Sequence, residues 1–305
     1  MTIANEHRPT RRLAGAPISW GVCEVPGWGL QLPAERVLGE MAQLGLGATE
    51  VGPVGYLPSD PDAVRALLDR HGLALVGGFV PLVLHEPEIE ATREEARRVA
   101  ALMAAAGADM FVAAIVADTA WSEPFAPDER QWSRLVTHLD EVAGVVAAEG
   151  LTLVVHPHVG TLVERDAEVQ RLLADSDAGW CLDTGHLLIG GSDPARFARE
   201  HADRILHVHL KDVDAGIARR LNGGELTLMR AVQAGLFRPL GQGDAGIEEV
   251  IGLLDAHGYE RWLVLEQDAA ITGQEPPVGD GPIADVRQSI AFLNSVAPER
   301  EVARP

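Results

Sequence analysis

Short apolar runs alternate with longer amphipathic segments along most of the chain. The apolar runs, which predict strands, span residues 16–21, 48–52, 73–80, 109–116, 151–158, 179–186, 205–212 and 262–268. Helical spacing of apolar positions predicts helices at 33–45, 60–72, 94–107, 132–150, 165–175, 193–202, 247–258 and 283–296. The strand runs are continuously apolar rather than alternating, which is typical of parallel strands that are covered on both faces. The pattern therefore predicts an α/β protein.

Eight strand-then-helix units match the length and order of a (β/α)8 TIM barrel, a single domain whose active site lies at the C-terminal ends of the strands. An open doubly wound sheet is the alternative, but the segment "SWGVCEVPGWG" lacks the glycine spacing of a dinucleotide-binding loop. We predict a barrel over residues 13–297, with disordered tails at 1–12 and 298–305. The segment 213–245 interrupts the rhythm, and we interpret it as either a surface helix or a cap over the active site.

Composition restricts the partners and the compartment. The chain of 305 residues has a formal net charge of −20, which disfavours nucleic acid and anionic membranes as partners. Cys23 and Cys181 lack metal-site spacing, which indicates a reducing compartment. The first residues lack the apolar run of a signal peptide, and no segment has the length and apolar character of a membrane helix. We therefore expect a cytoplasmic protein, and its self-association stays open.

Ionisable residues follow the predicted strands at the ends where a barrel would gather them. These residues are Glu50, His156, His158, Asp183, His186, His209, Lys211, Glu266 and Asp268. A single polar residue at a strand end is more often structural than functional, but the last four strands all end in this way. Buried carboxylates repel one another, and a divalent cation neutralises that repulsion. The sequence therefore predicts one metal site at the mouth of the barrel.

The candidate ligands are carboxylates and imidazoles without paired thiolates. This donor set favours an open catalytic site for Mn²⁺ or Co²⁺, with Mg²⁺, Fe²⁺ and Zn²⁺ as alternatives. Asp183, His209 and Glu266 are the predicted ligands. His156 is in register to be a fourth, whereas Glu164 either turns back to the cation or caps the next helix. The glycine-rich "GQGDAG" at 241–246 lacks the Lys-Ser/Thr of a phosphate-binding loop, so we interpret it as a turn.

Several motifs together resemble a known family: "APISWG", "TEVG", "HPHVGT", "LDTGHL", "HVHLKDV", "LGQGD" and "LVLEQD". They are similar to the xylose-isomerase-like barrel superfamily of sugar isomerases and epimerases, in particular its inosose dehydratase branch, over residues 14–295. The resemblance implies that Asp183, His209 and Glu266 are the metal ligands of the family. The epimerase branch has a glutamate ligand at the end of strand five, where this chain has His156. That departure argues against epimerisation by two metal-bound glutamates.

The resemblance implies a divalent-metal-dependent lyase that dehydrates a cyclic keto-polyol such as 2-keto-myo-inositol through a metal-stabilised enediolate. His156, His158 and His186 are then candidates for the general base and acid. Lys211 would hold the developing oxyanion, and Glu50 would bind a substrate hydroxyl. An isomerase, epimerase or keto-sugar lyase on the same metal site is the alternative. A sugar-binding barrel without catalytic activity would hold no stoichiometric metal.

Overall fold

The computed structural model describes residues 11–23, 25 and 27–296. Its strands are β1 (Leu13–Gly15), β2 (Ala48–Thr49), β3 (Ala74–Leu75), β4 (Phe79–Leu82), β5 (Met110–Ile115), β6 (Thr152–Val155), β7 (Gly179–Asp183), β8 (Ile205–Leu210), β9 (Asp212–Val213), β10 (Phe237–Arg238) and β11 (Leu263–Leu265). All except β9 and β10 form one parallel sheet in the order β3-β2-β1-β11-β8-β7-β6-β5-β4. The strands β9 and β10 pair separately and antiparallel.

The helices are α1 (Ala34–Gln43), α2 (Pro61–His71), α3 (Glu90–Ala105), α4 (Glu129–Ala148), α5 (Asp166–Asp175), α6 (Thr184–Ile189), α7 (Pro194–Glu200), α8 (Ala215–Asn222), α9 (Leu228–Gln233), α10 (Ile247–Ala256) and α11 (Pro282–Ser295). Caps set several of their ends. The Asp128 carboxylate accepts hydrogen bonds from the N–H groups of Arg130 and Gln131 at the start of α4, which satisfies donors that a helix leaves unpaired. Gly72 ends α2 at φ 66°, a left-handed conformation that glycine adopts without steric cost. Every helix predicted between strands is present.

The sheet closes into a barrel because β3 and β4 are two parts of one interrupted strand. Gly77 O accepts a hydrogen bond from Val51 N on the β2 side, and Gly78 O accepts one from Val112 N on the β5 side. The two glycines therefore join the edges of the sheet. A Cβ at Gly77 would lie 2.3 Å from Met110 O, so only glycine allows this approach. The predicted (β/α)8 TIM barrel is confirmed.

Side-chain size separates the inside of the barrel from its outer shell. The interior is packed by small or slender side chains, among them Ala14, Ala48, Val112, Val154 and Cys181. Larger side chains such as Trp180, Leu182 and Leu210 fill the layer between the sheet and the helices. Because the interior side chains are small, longer polar side chains fit near the carboxyl ends of the strands. That is where the ionisable residues lie.

Four predictions of local structure were wrong, and one of them is the strand 73–80, which is divided into β3 and β4. The first strand precedes the predicted run 16–21, because Pro17 begins a short 3-10 helix, Pro17–Trp20. The predicted strand 179–186 stops at Asp183, whose side chain accepts a hydrogen bond from His186 N and begins α6. Arg11 lies in the expected N-terminal tail, but it donates hydrogen bonds to Leu293 O and Val296 O and is packed. Residues 1–10 and the tail 298–305 lie outside the described residues.

The segment 213–245 contains α8, α9 and β10, and β10 pairs with β9, which ends at the first residue of the segment. Its apolar side chains, including Val213, Val232 and Phe237, pack with Trp28 and Ile189 in a separate buried cluster. The segment is thus a small subdomain beside the mouth of the barrel.

Among the described residues, no helix combines the length and the hydropathy that crossing a membrane requires.

Candidate active site

Neighbouring strands bring Asp183, His209 and Glu266 together. Asp183 is paired with His209 across β7 and β8, and Glu266 follows β11, whose register with β8 continues through the hydrogen bond from Glu266 N to Leu210 O. One ligand atom from each of the three residues lies within 4.8 Å of the others, and all three residues are buried. The arrangement follows directly from the order β11-β8-β7, since the carboxyl ends of adjacent parallel strands share one edge.

The chemistry of these groups fits a divalent cation. His209 Nδ1 lies 3.2 Å from Glu266 Oε2 and 3.6 Å from Asp183 Oδ2. This nitrogen is buried and has no hydrogen-bond partner in the described part of the chain, a costly state for a polar atom. Two carboxylates and one imidazole lone pair are ligands that suit Mn²⁺, Co²⁺ or Zn²⁺. A cation would satisfy the nitrogen and offset the two negative charges.

His156 extends the cluster towards the next strand, whereas Glu164 does not. His156 follows β6, and its Nε2 lies 3.2 Å from Asp183 Oδ2. Its Nδ1 is a second buried nitrogen that has no hydrogen-bond partner within the described ranges. Glu164 instead accepts a hydrogen bond from Gly160 N at 2.8 Å and belongs to none of the groups in which potential ligand atoms converge in the described residues. The structure therefore does not bring Glu164 to the predicted metal site, because the turn at Gly160 holds its carboxylate.

Lys211 supplies a positive charge beside these carboxylates and is the only lysine in the sequence. Its Nζ lies 2.7 Å from Asp268 Oδ1, 3.1 Å from Glu266 Oε2 and 3.7 Å from Asp183 Oδ2. The lysine side chain passes closely over Gly185, where a Cβ would lie 2.7 Å from Lys211 Cγ. The glycine of the "DTGH" motif therefore makes room for the lysine, a role that sequence analysis did not identify.

Burial and mutual attraction set the charges of this group. Burial by itself lowers the pKa of Lys211, but Asp268, Glu266 and Asp183 outweigh it and hold that pKa above its ordinary value. Burial raises the pKa of Asp268 to about 6, although the Lys211 charge opposes the rise. Burial also favours the neutral form of Glu266, yet His209 and Lys211 hold its pKa at about 2. At neutral pH Lys211 is therefore an ammonium group and Glu266 a carboxylate.

His158 lies nearer the entrance, within a set of aromatic rings. Its ring centroid is 3.9 Å from that of His186, 5.3 Å from that of Phe79 and 5.9 Å from that of Trp121. His158 Nδ1 lies 2.7 Å from Val159 O; a carbonyl only accepts, so Nδ1 carries the hydrogen and Nε2 has the lone pair. Burial, with the charges of His156 and Lys211, lowers the pKa of His158 to about 3. His158 is therefore a neutral imidazole near neutral pH.

Glu50 contacts two imidazoles of the site. It extends from the end of β2 across the interior, and its Oε1 lies 2.8 Å from His207 Nε2 and 3.0 Å from His209 Nε2. Burial would raise the pKa of Glu50, but His209 and His207 outweigh it and hold that pKa far below its ordinary value. The expected contact of Glu50 with a substrate hydroxyl stays a prediction. His207, which sequence analysis placed on the face of β8 shared with His209, is a member of the site.

The subdomain formed by 213–245 reaches the same site. Phe237 from β10 lies with its ring centroid 5.0 Å from Lys211 Nζ and 6.1 Å from the ring of His186. An aromatic face attracts a cation at this distance. Phe237 is itself buried, so this side of the ammonium group faces an apolar surface.

The glycine-rich turn "GQGDAG" is occupied by the chain itself. The Asp212 carboxylate accepts hydrogen bonds from the N–H groups of Gly241, Gly243 and Ala245 at 2.8–3.0 Å. A Cβ at Gly243 would lie 2.4 Å from Asp212 Oδ1, which explains that glycine. The interpretation as a turn agrees with the structure, and the turn holds Asp212, the residue that follows Lys211.

Fold and site together define a TIM-barrel enzyme with ionisable groups gathered at the carboxyl ends of its strands. The sequence profile described as "Xylose isomerase-like TIM barrel" matches residues 38–296. The chain therefore belongs to the xylose isomerase-like TIM barrel family, and it is an enzyme.

Curated relatives align along most of the chain. The rhizopine catabolism protein MocC of Rhizobium meliloti is 34% identical over 269 residues, which cover 84% of this chain and 81% of that protein. An inosose dehydratase of Geobacillus kaustophilus is 32% identical, with 85% and 89% covered. An inosose dehydratase of Geobacillus thermodenitrificans is 30% identical, with 85% and 91% covered.

Solved structures agree in fold. A probable 3-DHS dehydratase, AsbF of Bacillus anthracis, superimposes with a TM-score of 0.70 at 14% identity and covers 93% of this chain and 99% of its own. An L-ribulose 3-epimerase gives a TM-score of 0.67 at 18% identity, with 93% of each chain covered. At these identities the likeness shows the barrel fold alone.

Proposed function

We propose that this protein is a divalent-metal-dependent hydro-lyase that dehydrates a cyclic keto-polyol of the 2-keto-myo-inositol type. The observation that carries the proposal is the convergence of Asp183, His209 and Glu266, in which the buried Nδ1 of His209 has no hydrogen-bond partner among the described residues. Two of the curated relatives are named inosose dehydratases. The presence of His156 in place of a carboxylate after β6 supports dehydration rather than epimerisation by paired glutamates.

Asp183, His209 and Glu266 would hold the cation, and His156 is the fourth ligand that the geometry favours. Mn²⁺ or Co²⁺ suits this set of oxygen and imidazole donors. When bound, the cation would supply Lewis-acid polarisation of the substrate carbonyl and an adjacent hydroxyl. The remaining polar groups then bind the substrate and move its protons.

His158 is the proposed base. Its Nε2 lone pair is available because Nδ1 donates to Val159 O, and its place among the rings at the entrance suits contact with a substrate. It would remove the proton from the carbon next to the carbonyl. The electron pair of that C–H bond becomes the new C=C bond as the β carbon–oxygen bond breaks.

Lys211 is the proposed residue that stabilises negative charge developing on oxygen atoms of the substrate. Its ammonium group lies within hydrogen-bonding distance of Glu266, Asp268 and His186. It would stabilise the developing oxyanion. The protonated His158 would pass the proton that it has taken to the departing hydroxyl, which leaves as water and returns His158 to its neutral form. The Phe237 ring would keep bulk water away from this ammonium group.

The test is a dehydration assay with the purified full chain. The protein is stripped with a chelator, reloaded with Mn²⁺ or Co²⁺, and incubated with 2-keto-myo-inositol, and mass spectrometry follows the loss of water. We expect turnover only in the loaded protein. Turnover that persists after metal removal contradicts the proposed mechanism. Solvent deuterium in recovered substrate without a dehydrated product would instead indicate an isomerase or epimerase.

His158→Gln separates the base from the metal site. We expect the variant to bind one cation as the wild type does and to lose most of its turnover, because general-base catalysis contributes about 10²–10⁴-fold. Unchanged turnover in this variant would show that another group removes the proton.

A further inference from the structure

The ring of His209 lies between two separate sets of acidic groups. Its Nδ1 faces Glu266 Oε2 at 3.2 Å and Asp183 Oδ2 at 3.6 Å. Its Nε2 faces Glu50 Oε1 at 3.0 Å. Glu50 is 3% exposed and comes from β2, which β1 and β11 separate from β8 in the sheet. The two nitrogens of one imidazole therefore face different carboxylates.

The chemistry of Glu50 decides which nitrogen is free to bind a cation. A carboxylate only accepts hydrogen bonds, and a neutral imidazole carries hydrogen on one nitrogen only. When a cation takes one nitrogen of His209, the contact with Glu50 Oε1 keeps the hydrogen on Nε2, so the lone pair for the cation is that of Nδ1. That lone pair points to the side where Asp183 and Glu266 lie, and Nδ1 has no hydrogen-bond partner in the described chain.

His207 keeps the Glu50 carboxylate in this position. Its Nε2 lies 2.8 Å from the same Oε1 atom, so one carboxylate oxygen is held by two imidazoles. The alternative is a second cation between Glu50, His207 and His209, whose ligand atoms also converge. Ligands at ~2.0–2.1 Å from a tetrahedral ion lie roughly 3.3 Å apart. The contacts at 2.8 and 3.0 Å are shorter and have the length of hydrogen bonds.

We propose that Glu50 is a positioning residue, which makes Nδ1 of His209 the metal-binding nitrogen. The inference rests on the proposed function, because it requires a cation at Asp183, His209 and Glu266. In this role Glu50 touches neither that cation nor the substrate. It acts through the orientation and basicity of the His209 ring, as a carboxylate behind a metal-bound histidine does in general.

The first measurement is the affinity of the chelator-stripped full chain for Co²⁺, by isothermal titration calorimetry. Glu50→Leu should bind about 10–100-fold more weakly than the wild type, the usual effect of losing such a partner. Glu50→Gln should lie between the two, because the amide oxygen still accepts from Nε2 and the side chain keeps its size. Glu40→Gln is the matched control: Glu40 is also a buried carboxylate, but it binds Trp20 Nε1 and Arg36, away from the site. Its affinity should equal that of the wild type.

The second measurement identifies the ligand atom. In protein labelled with ¹⁵N-histidine and loaded with ¹¹³Cd²⁺, His209 should show cadmium coupling at Nδ1 and a directly bonded hydrogen at Nε2. The spectrum of His209→Gln assigns these signals. In Glu50→Gln the coupling at Nδ1 should persist, whereas in Glu50→Leu the Nε2 hydrogen should exchange faster with water. A purely structural role of Glu50 would leave the Nε2 exchange rate unchanged.

The outcomes separate this inference from the function on which it rests. A wild-type chain that binds no divalent cation would overturn the proposed function and, with it, the role of Glu50. A wild-type chain that binds cadmium through Nε2 of His209 would overturn the inference alone. Binding by Glu50→Leu as tight as that of Glu40→Gln would do the same.

Discussion

Replacing Lys211 with methionine should lower the thermal stability of the metal-free protein and increase the rise in Tm that a bound metal causes. The lysine ammonium lies within 2.7–3.7 Å of three carboxylates, those of Asp268, Glu266 and Asp183, and it is 2% exposed. Methionine has a similar length but no charge. The carboxylates would therefore be left without their buried positive partner.

The size of the effect follows from that burial. Removing one partner of a buried ion pair costs about 3–5 kcal/mol. For a domain of this size each kcal/mol shifts Tm by about 2 °C, so the metal-free variant should unfold roughly 6–10 °C below the wild type. A divalent cation restores positive charge between Asp183 and Glu266 without competition from the ammonium group. Saturating Co²⁺ should therefore raise Tm more in the variant than in the wild type.

Thermal unfolding of metal-free and Co²⁺-loaded protein measures both effects. Arg36→Met is the matched control, since it removes another buried cation, paired with Glu40, outside the site. It should lower Tm equally with and without metal. Because Lys211 is the only lysine, ¹⁵N-lysine labelling adds a single side-chain signal that should shift when Co²⁺ is replaced by diamagnetic Zn²⁺ or removed. A smaller metal-induced rise in Lys211→Met than in the wild type would refute the reasoning.

Three further changes test the site and the barrel. Asp183→Asn should weaken metal binding by at least about 100-fold, more than loss of an outer partner does, and abolish turnover; calorimetry showing wild-type affinity would exclude Asp183 as a ligand. His156→Ala should weaken metal binding as measured by the same titration. Glu164→Gln should leave metal binding unchanged, because its amide oxygen still accepts the hydrogen bond from Gly160 N. The reverse result would make Glu164 the fourth ligand. Gly77→Ala should lower the free energy of unfolding by at least about 1–3 kcal/mol, because its Cβ would meet Met110 O. Gly144→Ala, whose Cβ lies in open space on α4, should raise that free energy by about 0.5–1 kcal/mol. Urea unfolding measures both variants, and equal effects would contradict the account of barrel closure.

The fold could be predicted because strands that are buried on both faces have continuous apolar runs in the sequence, and such runs are recognised locally. The alternation of strands and amphipathic helices does not depend on contacts between distant residues. The exceptions are local too: Pro17 lacks an N–H group and starts a 3-10 turn, and Asp183 ends its strand because its carboxylate caps α6. Gly77 and Gly78 gave no sign that they divide one strand, since that break depends on Met110 and Val51.

The sequence by itself determined which residue types stand at the ends of the strands, and a parallel barrel places those ends at one mouth. It could therefore predict that Asp183, His209 and Glu266 would meet. Only the tertiary structure decided the direction of each side chain. It held Glu164 on Gly160 N, placed Glu50 behind His209, and surrounded Lys211 with three carboxylates. These contacts join residues up to 159 positions apart, and side-chain orientation at such a distance depends on packing across the barrel, which no local pattern records.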